Sequence, residues 1–457
     1  APARVLLVNP PGLPGTTPNR EGSAGLGALE MYEGGFCYPP HTLATVAAVL
    51  RDAGYAVSVF DAGAHPMPER GDLAASSQCL DALRDQAADV IGVLVSWATR
   101  EADHRFLTLL RNAALSVPTV ALGPSTRLMA DDLTSADYVL EGEPERAFQL
   151  LCDRLLSGHD DLPRTVTPSW LCAAGYDDAG LLTDLDALPI PAWELLRVGS
   201  YPYLTVLGSR GCNAACRWCP YVVAQGTRYR ARSPESVVAE LRHLVEHFRP
   251  PRIVFRDPVF AHDRARTVEL CHLILRDHQL RPGRNLLWEC ESRPQDLDPV
   301  LIRLMHLAGC VGVKLGLETV EPAVLGAQQR LEPGEMVEEY LARVQAVVGA
   351  CHRHGVAARL FVLAGLPGET IAGARATAAF AERLAPHSLT VKVLERYPHV
   401  RLAQDKPHQP PDPGVVDTLQ RAHELVRDAA RRPTPRWRRA FARLGDQAWY
   451  RLRGRAL

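Results

Sequence analysis

Cys212, Cys216 and Cys219 stand in the run Cys-Asn-Ala-Ala-Cys-Arg-Trp-Cys, a C-x3-C-x2-C spacing. Three thiolates this close together can hold three irons of a four-iron cluster and leave the fourth iron open. A structural cluster normally takes four cysteines, so a missing fourth marks a place where something else binds. A zinc site is the competing reading, but zinc prefers four protein ligands in C-x2-C pairs, and no second pair exists. The run follows Thr205-Val206-Leu207-Gly208, which reads as a strand ending in a loop. Trp218 precedes the third cysteine, where it packs as core or lies against a ligand.

The elements that position this loop are legible in the strand and helix pattern. The chain has 457 residues and a net charge of −1, enough for two or three domains and without a global nucleic-acid footprint. It shows no long uncharged apolar run and no signal-peptide pattern, so no membrane span is expected. Eleven cysteines, mostly isolated, suit a reducing cytoplasm better than a disulfide framework. Residues 1–156 alternate short apolar runs with helical patterns, which predicts a doubly wound, Rossmann-like parallel sheet. Ligands of such sheets bind beyond the carboxyl ends of the strands, where Asn9–Gly12, Ser96-Trp97 and Gly123–Ser125 converge. Residues 157–200, rich in Pro, Asp and Gly, read as a linker. Residues 201–395 repeat strand and helix six times, with strands near 204–208, 252–255, 286–290, 311–317, 358–364 and 389–394. This is a (βα)6 partial barrel, an α/β fold with chemistry expected at the carboxyl ends of its strands. Residues 396–457 read as a short, mostly helical capping segment. Its Arg-Arg-Pro-Thr-Pro-Arg-Trp-Arg-Arg stretch suits an amphipathic cap, with an anionic partner as the alternative.

Lysine is scarce. Of three lysines, Lys314 and Lys392 fall in the fourth and sixth barrel strands. By period two, Lys314, Gly316 and Glu318 share one face, while Val313, Leu315 and Leu317 share the other, which suits the helix layer. Lys314, Glu318 and Lys392 are therefore expected inside the barrel. A buried lysine needs an anionic partner, supplied by a ligand or by an internal Lys–Glu pair.

The chain resembles the cobalamin-dependent (class B) radical S-adenosylmethionine (SAM) family. In the N-terminal half the resemblance rests on Val5–Pro11, on Tyr38–Ala44 with Leu50–Tyr55, on Val90–Ser96 with Leu122-Gly123-Pro124, and on Ala136–Glu145. In the barrel half it rests on the cysteine run, Phe255–Phe260, Trp288–Arg293, Met305–Cys310 with Gly312–Thr319, and Phe361–Thr370. Gly123-Pro124-Ser125 replaces the family's double glycine, and Arg256 and Pro258 depart from its second-strand pattern. An Asp-x-His-x-x-Gly motif is absent, which is usual for this family and implies no histidine ligand on the lower cobalt face.

The resemblance implies a [4Fe–4S] cluster on Cys212, Cys216 and Cys219. It implies SAM against Trp218, Lys314, Glu318, Arg359 and Gly365, with Gly365 and Gly368 admitting close backbone approach. It implies cobalamin against Asn9, Pro10, Pro11, Tyr38, Ser96, Trp97, Gly123, Pro124, Ser125, Glu141 and Gly142. Lys392 and Asp257 are candidate substrate contacts, Lys392 for an anionic group. The implied activity is methylation of an unactivated carbon of a small molecule in natural-product biosynthesis, such as antibiotic biosynthesis. A deoxyadenosyl radical would abstract hydrogen, and methylcobalamin would supply the methyl. An external flavodoxin- or ferredoxin-type electron donor is expected, and no nucleic acid. The alternative is a non-methylating radical reaction on the same scaffold: ring contraction, cyclisation or oxidation. A methylthiotransferase is a further alternative, opposed by a short, strand-poor C-terminus. A carrier or sensor that binds the cofactors without catalysis is opposed by the full set of barrel motifs.

Overall fold

The structure is a computed structural model that describes residues 1–13, 16–22, 28–31, 37–64, 79–81, 83–84, 86–113, 117–159, 161–214, 216–404 and 410–431. The chain forms two compact units. The first comprises residues 1–214, 218–260 and 397–404; the second comprises 215–217, 261–396 and 405–457.

The first unit contains a parallel sheet of six strands in the order β4-β1-β5-β6-β7-β8. These are β1 (Arg4–Asn9), β4 (Ala56–Asp61), β5 (Val90–Leu94), β6 (Thr119–Leu122), β7 (Tyr138–Leu140) and β8 (Thr165–Val166). The central strand β5 is buried along its whole length, as an apolar Val-Ile-Gly-Val-Leu run requires when both faces are covered. Gly92 lets the sheet be approached closely: a Cβ there would lie 2.8 Å from the Phe148 ring and 2.9 Å from Leu7. Phe148 comes from the helix Glu145–Leu156, which shares a core with the helix His41–Asp52 through Leu7, Leu43, Val46, Leu50 and Leu151. The helix Arg100–Asn112 buries Phe106, Leu107 and Leu110 outside that cluster. The sequence reading did not anticipate the antiparallel pair β2 (Thr16–Asn19) and β3 (Ala28–Met31).

The same unit carries the start of the barrel repeat. Strand β9 (Leu204–Val206) pairs in parallel with β12 (Ile253–Phe255). Between them, β10 (Ser209–Arg210) and β11 (Arg230–Ala231) form a two-residue antiparallel ribbon at the base of the cysteine loop. The helix Pro234–His247 begins as its sequence predicts, with the Ser233 hydroxyl accepting from the Ser236 amide and proline at the first turn.

In the second unit, β13 (Trp288–Ser292), β14 (Cys310–Glu318), β15 (Ala357–Ala364) and β16 (Ser388–Val393) pair in parallel in chain order. The chain thus supplies six strand–helix repeats, the partial-barrel pattern expected after a Rossmann-like sheet. Along β14, Val313, Leu315 and Leu317 are fully buried, while Lys314, Gly316 and Glu318 are half-buried on the other face. The helix Pro413–Arg431 packs against β16 and the helix Ile371–Leu384. The basic run after Arg431 lies outside the described residues. Among the described residues no helix is long and apolar enough to cross a membrane.

His41 illustrates how tightly the first unit is closed. It opens its helix, is buried, and sets Nδ1 3.3 Å from the Thr205 carbonyl and hydroxyl oxygens, with Trp193 edge-on to its ring. Burial, reinforced by the charges of Arg210 and Arg232, pushes its pKa down to about 3. A base held neutral in the fold lends stability above its ordinary pKa and loses it as pH falls toward the folded value. We expect His41 to cost about 2 kcal/mol on going from about pH 7 to about pH 5, and His41→Gln to remove that share of the acid sensitivity. Urea unfolding of both proteins at the two pH values measures the difference.

Candidate functional site

In the first unit the predicted loops gather at the carboxyl edge of the parallel sheet, and a buried arginine ties them together. Arg20 donates to Asn9 Oδ1 at 2.9 Å and to the carbonyls of Pro10 and Pro11 at 2.7 and 3.3 Å. It also pairs with Asp103 at 2.5 Å, and both side chains are essentially inaccessible. Asp103 in turn accepts from the Ser96 amide and the Thr99 hydroxyl. The loops after β1 and β5 are therefore fastened to one ion pair. Asn9 donates to Asp61 at 2.9 Å, and Asp61 also accepts from the Tyr201 hydroxyl. The Trp97 amide donates to Ser125 Oγ, joining the loops after β5 and β6. The Trp97 ring is covered by Arg100 at 4.4 Å and neighbours Tyr397 at 5.6 Å.

Gly123 has φ +148°, and a Cβ there would strike the Val95 carbonyl at 2.5 Å, so this position is closed to side chains. Gly142, at the end of β7, is similarly crowded by the Gly180 carbonyl. Pro124 lines a small cavity of about 20 Å3 with Glu21, His41, Arg210, Gln225 and Arg256. Tyr38 is half-buried, with its ring 6.3 Å from that of Tyr203, and Glu141 is half-buried beside the fully buried Gly142 and Glu143.

The cysteine loop leaves the ribbon β10–β11. Cys212 is buried, and its amide donates to the Gly226 carbonyl at 3.2 Å, while Cys219 and Trp218 are half-buried. None of the three cysteines is in a disulfide. Asp257 braces the segment before the loop: it accepts from the Gly208 amide at 2.8 Å and the Ser209 hydroxyl at 2.6 Å. At 1% exposure it is enclosed in this brace, which corrects the expectation that it contacts substrate.

In the second unit Cys216 is half-buried, and the Arg217 amide donates to the Gln328 carbonyl. Next to that turn lies Arg330, which the sequence reading missed. Its guanidinium is buried, donates to the Gly316 carbonyl at 2.5 Å, and lies within electrostatic reach of Cys216 and Glu318. Its Nε has no acceptor among the described residues. Glu318 ends β14 in a left-handed conformation, φ +62°, at a register shift against β15. Non-glycine residues held there are strained and collect at functional sites. Burial raises the Glu318 pKa, and Arg330 and Lys392 offset this only in part.

Lys314 is in register with Glu291 on one side and Arg359 on the other. Arg359 forms an ion pair with Glu289 at 2.9 Å. Lys392 is exposed, with Nζ 5.2 Å from the centre of the Phe361 ring. The expectation of a buried lysine is thereby corrected, while its register with Leu363 keeps it on the strand face that carries Phe361 and Arg359. Gly365 has φ +93°, and its amide donates to Glu369.

The residues present fit the cofactors that the sequence implies. Three thiols on one loop are a cluster donor set. A buried guanidinium with an unused N–H, close to the second cysteine, suits a ligand bearing a carboxylate. The sheet edge offers glycine- and proline-framed backbone held by an internal network. Among the described residues no three Cys, His, Asp or Glu side chains are gathered as a metal site.

Two family profiles match the chain. The B12 binding domain covers residues 31–151, and the Radical SAM superfamily covers residues 206–381. The chain belongs to the cobalamin-dependent radical SAM family. It is an enzyme of that family, and similar proteins carry methyltransferase names. An uncharacterized methyltransferase of Pyrococcus horikoshii is 24% identical over 384 residues, 80% of this chain and 77% of that protein. The hopanoid C-2 methylase of Rhodopseudomonas palustris is 26% identical over 314 residues, 68% of this chain. The chain spans only 54% of the length of that methylase. The radical SAM methyltransferase TsrM of Kitasatospora setae, solved with cobalamin and a [4Fe-4S] cluster bound, superposes with a TM-score of 0.68 at 19% identity. That match covers 88% of this chain and 77% of TsrM, and it confirms the fold.

Asp257→Ala strips a buried acceptor from two donors. It is expected to lower stability by about 2–4 kcal/mol in urea unfolding. Unchanged stability with weakened substrate binding would return Asp257 to the substrate site.

Proposed function

We propose that this enzyme is a cobalamin-dependent radical SAM C-methyltransferase, acting on an unactivated carbon of a small molecule in natural-product biosynthesis. The observation that supports it most is the pairing, in one chain, of a B12 binding segment with a three-cysteine cluster loop, in a fold shared with a methyltransferase. When bound, the two cofactors and SAM supply the radical and the methyl group. The protein supplies position and exclusion of water.

Cys212, Cys216 and Cys219 would hold the cluster, with Trp218 beside it. Arg330 offers its unused N–H and charge to the SAM carboxylate, and Glu318 offers a carboxylate to the amine. In the second unit Arg359 is engaged by Glu289, which favours Arg330 and Lys314 for the carboxylate. Gly365, whose side-chain position is filled by Pro411, would meet the adenine through its backbone. Lys392, exposed at the end of β16, suits an anionic group of the substrate. The frame of Asn9–Pro11, Ser96-Trp97, Gly123–Ser125 and Glu141-Gly142, with Tyr38, would hold cobalamin through backbone atoms. The unreduced cluster needs an electron, for which a flavodoxin- or ferredoxin-type donor is the natural partner. A reducing cytoplasm suits eleven cysteines, three of them on one cluster loop.

The test is anaerobic purification from cells fed cobalamin, with iron, sulfide and cobalt quantitation. About four irons and one cobalt per chain are expected, and replacing the three cysteines by alanine should abolish the iron while leaving the cobalt. With SAM, a reductant and an acceptor, S-adenosylhomocysteine should form with methylated product. Product that forms without S-adenosylhomocysteine would overturn methyl transfer in favour of another radical reaction. Arg330→Met is expected to weaken SAM binding by roughly tenfold or more, read by equilibrium dialysis against the cluster-loaded protein. Wild-type affinity in that variant would remove Arg330 from the SAM site.

A further inference from the structure

The β10–β11 ribbon contains an arrangement that its own residues cannot stabilise. Arg210 and Arg230 are direct cross-strand partners, two like charges facing each other in a ribbon two residues long. Like charges in that position destabilise a strand pair. The ribbon forms because two carboxylates from the carboxyl end of the parallel sheet are inserted beside it. Glu143 takes Arg230 through both oxygens, at 2.8 and 2.9 Å, and Arg210 at 3.3 Å. Glu145 takes Arg210 at 2.6 Å. All four side chains are more than nine-tenths buried. Burial works to raise the Glu143 pKa, but the two guanidiniums override it and hold the carboxyl below its usual range. Burial likewise opposes the Arg210 charge, and Glu145 and Glu143 more than restore it.

The ribbon is the base of the cluster loop. Arg210 is followed by Gly211, whose φ of +77° leaves no room for a Cβ, since it would lie 2.1 Å from the Arg228 carbonyl. Cys212 comes next. Arg230 also donates to the Gln225 carbonyl at 2.7 Å, and the neighbouring Gly226 carbonyl receives the Cys212 amide. One guanidinium therefore joins Glu143 to the turn on which Cys212 hangs.

We infer that Glu143, a residue of the B12 binding segment, is a positioning residue for the iron–sulfur cluster. It fixes the Cys212 end of the loop by neutralising the Arg210–Arg230 pair. It acts through those arginines and touches neither cluster nor substrate. This rests on the reading that Cys212, Cys216 and Cys219 hold the cluster.

The experiment follows anaerobic iron release to a ferrous chelator from the reconstituted, cobalamin-loaded protein, beside cobalamin retention on a desalting column. Partners of metal-ligand loops typically affect metal affinity ten- to a hundredfold. Glu143→Gln should release iron roughly ten- to a hundredfold faster than wild type while retaining cobalamin. Its reduced cluster should also give an altered electron paramagnetic resonance signal, which a mere loss of stability would not produce. Wild-type release rates and signal would overturn the proposal, and so would parallel loss of cobalamin and iron, which marks general destabilisation. Arg230→Lys keeps the charge but loses the bidentate pairing, and covers the case in which Glu143→Gln fails to fold. It should release iron at an intermediate rate, and a wild-type rate there is equally fatal. A wild-type chain that takes up no iron would sink the cluster reading itself, and this proposal with it.

Discussion

Two buried guanidiniums placed side by side are the constraint around which the first unit is organised. Moving one such charge out of water costs several kcal/mol, and two together add their repulsion. Arg210 and Arg230 are tolerated only because Glu143 and Glu145 reach them with good geometry. The end of β7, the start of the helix Glu145–Leu156, the Leu182 segment and the base of the cysteine loop are held at one point. A second buried pair, Arg20 with Asp103, does the same for the loops after β1 and β5. Neither pair adds much net stability over apolar packing of the same volume. What they add is a single permitted arrangement of loops that would otherwise have many.

The second unit handles charge differently. Lys314, Glu318, Arg359 and Lys392 lie along strands whose opposite face is fully apolar, and they remain half-buried or exposed. Arg330 is deeply enclosed, and it retains an N–H without an acceptor among the described residues. Closed networks hold the frame of the first unit, whereas the strand face of the second keeps polar capacity for ligands.

Much of this was legible in the sequence because it is local. The period-two alternation of β14 separated Lys314 and Glu318 from Val313, Leu315 and Leu317. The apolar run Val90–Leu94 marked a buried strand, and Ser233-Pro234 marked a helix start. The cysteine spacing announced its own chemistry. What escaped was non-local. Arg230 and Glu143 are 87 residues apart, and Arg20 and Asp103 are 83 apart, so neither pairing leaves a periodic signal. Arg330 follows a short helix in an arginine-rich chain, where one more arginine carries no signal. Asp257 was misread because its motif placed it at a strand end, and only the structure shows the Gly208 amide and Ser209 hydroxyl closing over its carboxylate. Alternation placed Lys392 on the strand face of Arg359 and Phe361, where the structure has it, but could not show that this end of the face is open to solvent.

The Pro-rich stretch 157–200 looks like the natural place to cut or recombine this chain, yet the first compact unit runs through it to Phe260. A chimera joined within that stretch would pair one parent's Glu143 with another parent's Arg230, and so separate residues that form one buried ion pair. Modular exchange in this family should therefore use a crossover after Phe260, so that the ribbon travels with the sheet that neutralises it.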